Sequence, residues 1–391
     1  KGAACSSPAI LGACGAHWRR ALAHSLDFAQ IPSARRAVSG DGQHRERGDK
    51  VKQVAYRKRG CLDVCATQTA EDLESDEVLV EVAYTGICGT DLHIFAGEMD
   101  GRVAPGTILG HEMSGRIAAV ASSVDGWTVG DPITVMPLEW CGNCPACVAG
   151  YSYVCQRLRF RGIDAAGCMQ QFWRVPASAL VKLPKSLPLA TAALVEPAAV
   201  AVHDVRRAEV RPGEKVLILG GGPIGVLVAT VARDTGADVT IAEVDAFRRG
   251  LAESLSFRAL DPAATDIAQY VDDWTDGAGA AVSFEVSGSS AGLATAVECL
   301  AVRGRLCVIA IHTSKPSVDL HRIFWRELTV LGARLYDKSD FEEAAHFIED
   351  HIDSINSLIS KIYPICDAHA AFTTLEAKER VMKVLIDCQG L

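Results

Sequence analysis

Residues 215–225 read KVLILGGGPIG, a short apolar run that ends in the pattern G-x-G-x-x-G. An apolar, helix-like stretch follows from Val226 to Ala232, so the pattern stands between a predicted strand and a predicted helix. Glycines at such a turn let the backbone approach a pyrophosphate, and the helix N-terminus offers it free N–H groups. The run predicts a dinucleotide-binding turn, in which we expect the cofactor contacts to be Gly220, Gly222, Pro223, Ile224 and Gly225.

The strand predicted next, Asp238–Ala242, ends at an acidic residue, Glu243. It lies about 20 residues past the glycines, where a carboxylate binds the ribose hydroxyls of NAD and repels a 2′-phosphate. Arg248 and Arg249 follow closely and could weaken that preference, or they could form a solvated helix face. We therefore predict NAD as the cofactor, with Glu243 and Arg248 near its ribose.

The uncharged stretch from Val216 to Ala232 must also be weighed as a membrane span. A span needs about 20 apolar residues. This stretch is shorter, and Gly220, Gly221, Gly222 and Pro223 interrupt it. A buried strand, turn and helix is the better interpretation, and we predict no membrane partner.

Four cysteines within one short segment have the spacing C-x2-C-x2-C-x7-C; they are Cys141, Cys144, Cys147 and Cys155. Four thiolates at such spacing can close a tetrahedral shell around one zinc ion, which leaves no position for substrate. The alternatives are a disulfide pair or chance clustering. We predict a structural zinc that fixes a loop.

A second set of metal-binding residue types surrounds this segment: Cys88, His111, Glu112 and Glu196. Each of them alone is usually just a satisfied polar group. Together they offer one thiolate, one imidazole and two carboxylates, and three protein ligands plus an open position characterise catalytic zinc. The sequence therefore predicts two zinc ions per chain.

Composition narrows the class of protein. The chain has 391 residues, enough for two domains, with 49% hydrophobic and 22% charged residues, as in globular enzymes. A net charge of −9 argues against a nucleic-acid partner, which needs a basic surface. The 14 cysteines, with no clear secretory signal, favour a reducing compartment, and we expect a cytoplasmic protein.

The first fifty residues differ from the rest, being rich in Ala, Gly, Ser and Arg without sustained periodicity. We expect residues 1–50 to be a poorly ordered N-terminal extension. It is either sequence from upstream of a true start at Val51 or a transit peptide. Four acidic residues in it count mildly against the second alternative.

The pattern of predicted elements changes along the chain. Short strands dominate the first part, whereas strands and helices alternate from about Ala198, which predicts a parallel sheet. Ligands bind beyond the carboxyl ends of such strands. We therefore expect Ser287 and Ile311, near two predicted strand ends, to border the nicotinamide ring.

In order along the chain stand G-I-C-G-T-D-x-H (86–93), G-H-E (110–112), the four-cysteine segment, V-E-P (195–197) and G-G-G-P-I-G (220–225). From about Val51 to Leu391, the chain resembles the zinc-containing medium-chain dehydrogenases/reductases, most of all the polyol, 2,3-butanediol and threonine dehydrogenases. The resemblance implies an α/β protein with a GroES-like β-rich catalytic domain and a Rossmann domain with a doubly wound parallel sheet. It places the GroES-like domain at 51–197 with a zinc lobe at about 139–156, the NAD-binding domain at 198–336, and a return to the catalytic domain at 337–391.

The resemblance also implies roles for the site residues. Cys88 and His111 would be the core zinc ligands, and either Glu112 or Glu196 would fill the remaining protein position. Asp91 would orient the ligand histidine. Thr90 would receive the proton of the alcohol and pass it through the cofactor ribose to His93 and solvent.

The predicted function is zinc-dependent hydride transfer to NAD from a secondary alcohol, in a polyol or a vicinal diol such as 2,3-butanediol. Zinc lowers the pKa of bound water to about 7 and should act similarly on an alcohol. L-threonine 3-dehydrogenase is the alternative within the enzyme class, and a catalytically silent dinucleotide-binding or structural protein is the alternative outside it. Relatives imply a homodimer or homotetramer.

Overall fold

The computed structural model describes residues 50–68, 72–377 and 380–390. The predicted extension at residues 1–50 lies outside these ranges, except that Lys50 begins the first strand.

Seventeen strands are found in the described residues. In chain order they are β1 (Lys50–Lys58), β2 (Cys61–Gln68), β3 (Glu77–Gly86), β4 (Glu112–Val120), β5 (Pro132–Val135), β6 (Leu138–Glu139), β7 (Arg159–Phe160), β8 (Phe172–Pro176), β9 (Leu180–Lys182), β10 (Lys215–Leu219), β11 (Asp238–Ala242), β12 (Arg258–Leu260), β13 (Ala280–Glu285), β14 (Leu300–Val308), β15 (Thr329–Gly332), β16 (Ile359–Pro364) and β17 (Lys383–Asp387).

Twelve α-helices join them over the same ranges. In chain order they are α1 (Gly89–Phe95), α2 (Pro145–Val148), α3 (Leu189–Ala192), α4 (Val195–Arg207), α5 (Pro223–Asp234), α6 (Ala246–Ser254), α7 (Ile267–Trp274), α8 (Ser290–Glu298), α9 (Leu320–Trp325), α10 (Lys338–Asp350), α11 (Ile352–Asn356) and α12 (Ala368–Glu376).

Six strands form a parallel sheet in the order β12-β11-β10-β13-β14-β15. Helices join successive strands because parallel neighbours need a long crossover. The strand order reverses between β10 and β13, which opens a crevice beyond their carboxyl ends where dinucleotides bind in such sheets. The predicted doubly wound parallel sheet is thus confirmed.

One predicted strand has different bounds. The apolar pattern predicts a strand over Arg305–Ile311, but β14 spans Leu300–Val308 and Ile311 lies in the loop beyond it. The chain turns there because the N–H groups of Ile309 and Ala310 both donate to the backbone oxygen of Glu285.

A second sheet has the strand order β16-β17-β3-β4-β5-β9, and β8 pairs with β3 on the side. Its central pair, β3 and β4, is antiparallel. Strands β16 and β17 follow the parallel sheet in sequence, and β17 pairs antiparallel with β3. The last described segment therefore returns to this second sheet and brings the start of β17 close to Gly86.

Helix α4 connects the two sheets. It packs against β4 of the second sheet, and against α5 and α10. Its side chains are buried on nearly every side, including the polar Glu196, His203 and Asp204. Glu196 lies in the first turn of this helix, so the packing holds its carboxylate between the two sheets.

The four-cysteine segment, expected to be loop, contains the short helix α2. Cys144 takes the N-cap position and Pro145 starts the helix, where the missing N–H of proline costs nothing.

The uncharged stretch weighed as a membrane span forms strand β10 and helix α5. Across the described ranges, the helices are too short or too polar for any of them to span a bilayer.

Candidate active site

The first site residues surround the N-terminus of helix α1. Strand β3 ends at Gly86, and Cys88 occupies the N-cap position of α1 with extended backbone. Asp91, buried in the first turn, accepts a hydrogen bond from the backbone N–H of Cys88 at 2.9 Å. The carboxylate of Asp91 thus fixes the backbone that carries the Cys88 thiol.

Cys88, His111 and Glu112 come together. Each offers one ligand atom, and these atoms lie within 4.8 Å of one another. His111 and Glu112 stand at the start of β4 and are buried, 3% and 1% exposed. The edge of the Phe160 ring packs on the His111 ring, with centroids 5.0 Å apart. The structure therefore gathers three of the four predicted catalytic-zinc ligands into one buried cluster.

The buried polar atoms of this cluster that have no hydrogen-bond partner in the described part of the chain include Asp91 Oδ1 and His111 Nδ1. They lie 3.9 Å apart, beyond hydrogen-bond range. Asp91 is thus placed next to the histidine that it is predicted to orient.

Glu196 approaches the cluster from helix α4. The hydroxyl of Tyr336, which is fully buried, donates to Glu196 Oε1 at 2.8 Å. Burial raises the pKa of Glu196 to about 7. Glu196 does not belong to the set within 4.8 Å, in which Glu112 is the carboxylate that accompanies the thiol and the imidazole.

Lys383, at the start of β17, was missed by sequence reasoning. Its ammonium group is buried and donates to Glu112 Oε1 at 2.6 Å and to the backbone oxygen of Ile87 at 3.1 Å. A Cβ on the neighbouring Gly86 would lie 2.0 Å from Glu112 Oε2, so any other residue there would displace this carboxylate. One signal was present: Lys383 is a lone charge in the apolar run VMKVLI (381–386).

The electrostatics of the cluster favour a cation. Burial lowers the pKa of His111, but the charges of Asp91 and Cys88 outweigh burial and raise that pKa to about 10. Burial likewise lowers the pKa of Lys383, and the Glu112 carboxylate reverses the direction. A thiolate, an imidazole and carboxylates, buried and short of positive charge, are the donor set that zinc prefers.

The residues predicted to move the proton lie on the same short helix. Thr90 is half-buried in the first turn of α1. His93 is 40% exposed, and its Nδ1 lies 2.5 Å from Oε2 of the exposed Glu98. His93 therefore stands where it can exchange protons with solvent.

The glycine-rich turn has the backbone geometry that its sequence predicts. Gly220 adopts a φ of 110°, which favours glycine, and Gly222 is the N-cap of α5. A Cβ on Gly225 would lie 1.9 Å from the backbone oxygen of Gly220, so the turn can close against the helix only with glycine there. Pro223 and Ile224 form the first helical positions.

Glu243 closes the other side of this turn. Its carboxylate is buried and accepts hydrogen bonds from the backbone N–H of Gly221 at 2.6 Å and of Asp245 at 2.8 Å. If Gly222 carried a Cβ, that atom would lie 3.5 Å from the guanidinium of Arg248, so the Arg248 side chain lies beside this glycine. Arg249 instead pairs with Asp261 and donates to backbone oxygens, so its role is structural. Glu243 and Arg248 thus both border the turn.

Ser287 and Ile311 lie beyond the ends of neighbouring strands. The N–H and hydroxyl of Ser287 donate to the buried Glu285 carboxylate, which also pairs with His312 at 2.9 Å. Ile311 is 74% exposed. If Gly288 carried a Cβ, that atom would lie 3.4 Å from the backbone oxygen of Ile311, so the two backbones lie close together. The two loops therefore meet at the crevice of the parallel sheet.

The four cysteines of the predicted structural site form a second cluster. Neighbouring sulfur atoms are 3.5 to 4.0 Å apart. Four sulfurs around zinc at about 2.3 Å lie about 3.8 Å from one another, so the set fits a single ion. The backbone N–H of Asn143 is the main cause that lowers the pKa of Cys141 to about 6, which favours the thiolate.

Comparisons with known proteins agree with these elements. The family model of the alcohol dehydrogenase GroES-like domain matches residues 74–185, and that of the zinc-binding dehydrogenase matches residues 223–350. The chain is 45% identical over 317 residues to 2-dehydro-3-deoxy-L-galactonate 5-dehydrogenase of Pseudoalteromonas atlantica, covering 81% of this chain and 93% of that protein.

Two further similarities are informative. L-threonine 3-dehydrogenase of Pyrococcus abyssi is 37% identical over 261 residues, covering 66% of this chain and 75% of that protein. The crystal structure of 2R,3R-butanediol dehydrogenase from Bacillus subtilis superposes with a TM-score of 0.79 at 27% identity, over 86% of this chain and 99% of that one. The predicted combination of a GroES-like domain with a Rossmann-type sheet is confirmed.

Proposed function

The chain belongs to the zinc-containing medium-chain dehydrogenase/reductase family, and we propose that it oxidises a secondary alcohol of a polyhydroxylated substrate with NAD as the hydride acceptor. The prediction of an oxidoreductase is confirmed by this membership. The observation that carries the proposal is the buried cluster of Cys88, His111 and Glu112, whose ligand atoms lie within 4.8 Å of one another.

Cys88 and His111 would hold the catalytic zinc, with Glu112 or Glu196 supplying a carboxylate. Zinc bound there would supply a Lewis acid that makes a hydroxyl group more acidic. Asp91 would orient the imidazole from its position at the N-terminus of α1. Lys383 would hold the Glu112 side chain in place and balance part of the negative charge. We propose that the four cysteines hold a second, structural zinc.

The cofactor proposal rests on the parallel sheet. Gly220, Gly222 and Gly225 leave room for the pyrophosphate beside the N-terminus of α5, and NAD would accept the hydride. The Glu243 carboxylate is fixed by two backbone N–H groups at the end of β11. A buried carboxylate at this place favours ribose hydroxyls over a 2′-phosphate, which supports NAD.

A proton must leave the alcohol as the hydride leaves its carbon. We assign its uptake to the Thr90 hydroxyl, and its release to solvent to His93, which is two-fifths exposed and paired with Glu98. The packing of Phe160 against His111 keeps water from one side of the imidazole.

The substrate proposal follows the relatives. The relative that is 45% identical acts, by its name, on a deoxy sugar acid, and the similar Bacillus structure is a butanediol dehydrogenase. A hydroxylated carbon chain with a secondary alcohol is common to both. L-threonine remains the second candidate, because the Pyrococcus enzyme is 37% identical over two thirds of this chain.

The test is a substrate panel with the zinc-loaded full chain. Alditols, aldonates, butanediol isomers and L-threonine are each added with NAD, and NADH formation is followed by absorbance. We expect saturable turnover of polyhydroxylated substrates. Turnover of threonine with none of the others would contradict the proposed substrate class, and no turnover of any would contradict the proposed function.

Association into a homodimer or homotetramer and a cytoplasmic location stay predictions. They are supported by the family resemblance and by the abundance of cysteine, respectively.

A further inference from the structure

The ring of Tyr153 connects the four-cysteine segment with helix α4. Tyr153 is half-buried and stands two residues before Cys155, in a single turn of 3₁₀ helix over Ser152–Val154. Its ring meets the ring of His203 edge to face, with centroids 4.7 Å apart. His203 lies on α4 and is 6% exposed. The segment therefore packs on a buried side chain of the helix that carries Glu196.

His203 also binds the start of helix α10. Its Nδ1 lies 2.8 Å from Oδ2 of Asp340, which is fully buried. Asp340 accepts the backbone N–H of Asp337 at 3.0 Å, and Asp337 accepts the backbone N–H of Asp340 at 2.9 Å. This reciprocal capping box fixes the residue that directly follows Tyr336.

The turn before α10 needs such support. Leu335 in this turn adopts a φ of 60°, a left-handed conformation that is rare for leucine and persists only where the surroundings hold it. Tyr336 comes next, and its buried hydroxyl donates to Glu196 Oε1 at 2.8 Å. The turn that brings Tyr336 to Glu196 is therefore held by the capping box that contains Asp340.

Glu196 receives support along its own helix as well. Glu196 and His203 are seven residues apart on α4, about two helical turns, so their side chains lie on the same face. Both are buried, and α10 packs against α4. Two routes thus lead from His203 to the pair of Glu196 and Tyr336, one along α4 and one through Asp340.

We propose that Tyr153 and His203 are positioning residues of the candidate active site, which hold the Glu196 carboxylate and the Tyr336 hydroxyl in place beside the metal cluster. An ion among the four cysteines would still only fix a loop, but that loop carries Tyr153 and so supports the site from outside. The inference rests on the proposed function and deepens it, because it connects the proposed structural zinc with the proposed catalytic one.

The test follows the retention of each zinc ion rather than turnover. The zinc-loaded full chain is dialysed against buffers in which a chelator sets the free zinc concentration, and bound zinc per chain is measured by mass spectrometry. Cys88→Ser, which keeps the four-cysteine ion, shows which release step belongs to which ion. Because a displaced carboxylate weakens the ion beside it, Tyr153→Leu should raise about tenfold the free zinc concentration at which the ion at Cys88 and His111 is half released. Release of the four-cysteine ion should not change.

Two control variants separate the ring contact from a general loosening of the segment. Tyr153→Phe keeps the ring and removes the hydroxyl, and it should retain both ions as the wild type does. Tyr151→Leu makes the same substitution at a neighbouring tyrosine of the segment, whose side chain is 55% exposed. It should also retain both ions.

A double variant tests the route through His203. His203→Leu should weaken retention of the same ion, and Tyr153→Leu/His203→Leu should weaken it no further, because the two residues act through one contact. Initial rates give a second readout. In Tyr153→Leu, kcat should fall while KM for NAD stays the same, since the glycine-rich turn proposed to bind NAD is untouched.

Any of three results would overturn the inference. Tyr153→Leu could leave retention of the ion at Cys88 and His111 unchanged, its effect could add fully to that of His203→Leu, or Tyr151→Leu could weaken retention equally. The proposed function is judged separately, by turnover of the wild type with the substrate panel. Absence of all turnover would contradict that function, whereas the zinc measurements would still decide whether Tyr153 and His203 support the metal cluster.

Discussion

The two clusters of metal-binding residue types are built in opposite ways. Four cysteines come from one segment, 141–155, whose own turns and short helix bring the sulfurs within 4.0 Å of their neighbours. The other cluster takes Cys88 from the start of a helix and His111 and Glu112 from the start of a strand. It is completed by Glu196 from α4 and by Lys383 from β17.

The difference in construction accompanies a difference in chemistry. The segment offers four thiols, two buried and two half-buried, and their uniform chemistry suits an ion that only fixes a loop. The dispersed cluster combines the half-buried Cys88 with the buried His111 and Glu112, and it is tied to a buried lysine and a buried tyrosine. A site of this second kind needs the whole fold, so its properties should respond to changes far away in sequence. Four substitutions test that contrast.

The largest effect on turnover is expected for Cys88→Ser. Loss of a zinc ligand should remove the several kcal/mol of transition-state stabilisation that a Lewis acid supplies, about a thousandfold or more in rate. The melting temperature should stay near that of the wild type, because the four-cysteine cluster is untouched. Initial rates and thermal melting check both parts. Cys61→Ser, a half-buried thiol outside both clusters, serves as the control. Near-normal turnover of Cys88→Ser would show that the site is assigned wrongly.

Cys144→Ser should act on stability first. Binding free energy at a structural zinc site is also folding free energy, so its loss should lower the melting temperature by about 5 °C or more. Activity should fall only indirectly, as the four-cysteine segment loses the ordering that its zinc ion provides. The zinc content should drop from two ions per chain to one. Adding Cys88→Ser to this variant should remove the remaining ion as well. An unchanged melting temperature together with two bound ions would contradict a structural role.

Lys383→Met tests the buried ion pair. Residues that support metal ligands change activity about 10- to 100-fold when they are lost. The variant also leaves the Glu112 carboxylate buried and unpaired, which should cost about 3–5 kcal/mol of stability. Chemical unfolding and initial rates measure the two effects.

The double variant Lys383→Met/Glu112→Gln is the matched control for that ion pair. It removes both charges and should recover most of the stability but not the activity. If Lys383→Met alone were as stable and as active as the wild type, the pair would have no part in the site.

The smallest effect is expected for Glu243→Ala. Glu243 lies outside both clusters. Removing this carboxylate should weaken NAD binding and raise the relative use of NADP about tenfold, because the repulsion of a 2′-phosphate is lost. The zinc content should remain at two ions. Kinetics with both cofactors give the ratio, and an unchanged preference would remove Glu243 from the proposed cofactor site.

Sequence reasoning succeeded where one local segment carries the information. The strand, turn and helix around Gly220–Gly225 and the strand Asp238–Ala242 follow from apolar patterning and glycine spacing. The four-cysteine cluster follows from spacing alone. The short helix α2 within it was not predicted, because four residues carry no periodicity.

Other features depend on contacts between distant segments. The end of β14 at Val308 follows from hydrogen bonds to Glu285 on a neighbouring strand. Lys383 stands 271 residues from Glu112, and no spacing rule connects them. The pairing of Tyr336 with Glu196 likewise requires α4 and the segment after β15 to pack together. For Lys383, its charge within an apolar run was the one local signal.

Anomalous diffraction at the zinc edge, on crystals of the zinc-loaded chain, tests the central claim most directly. The account predicts two zinc peaks, one among the four cysteine sulfurs and one within about 2.3 Å of Cys88 Sγ and about 2.1 Å of a His111 ring nitrogen. A fully loaded protein that shows a peak at the four cysteines and none between Cys88 and His111 would contradict it.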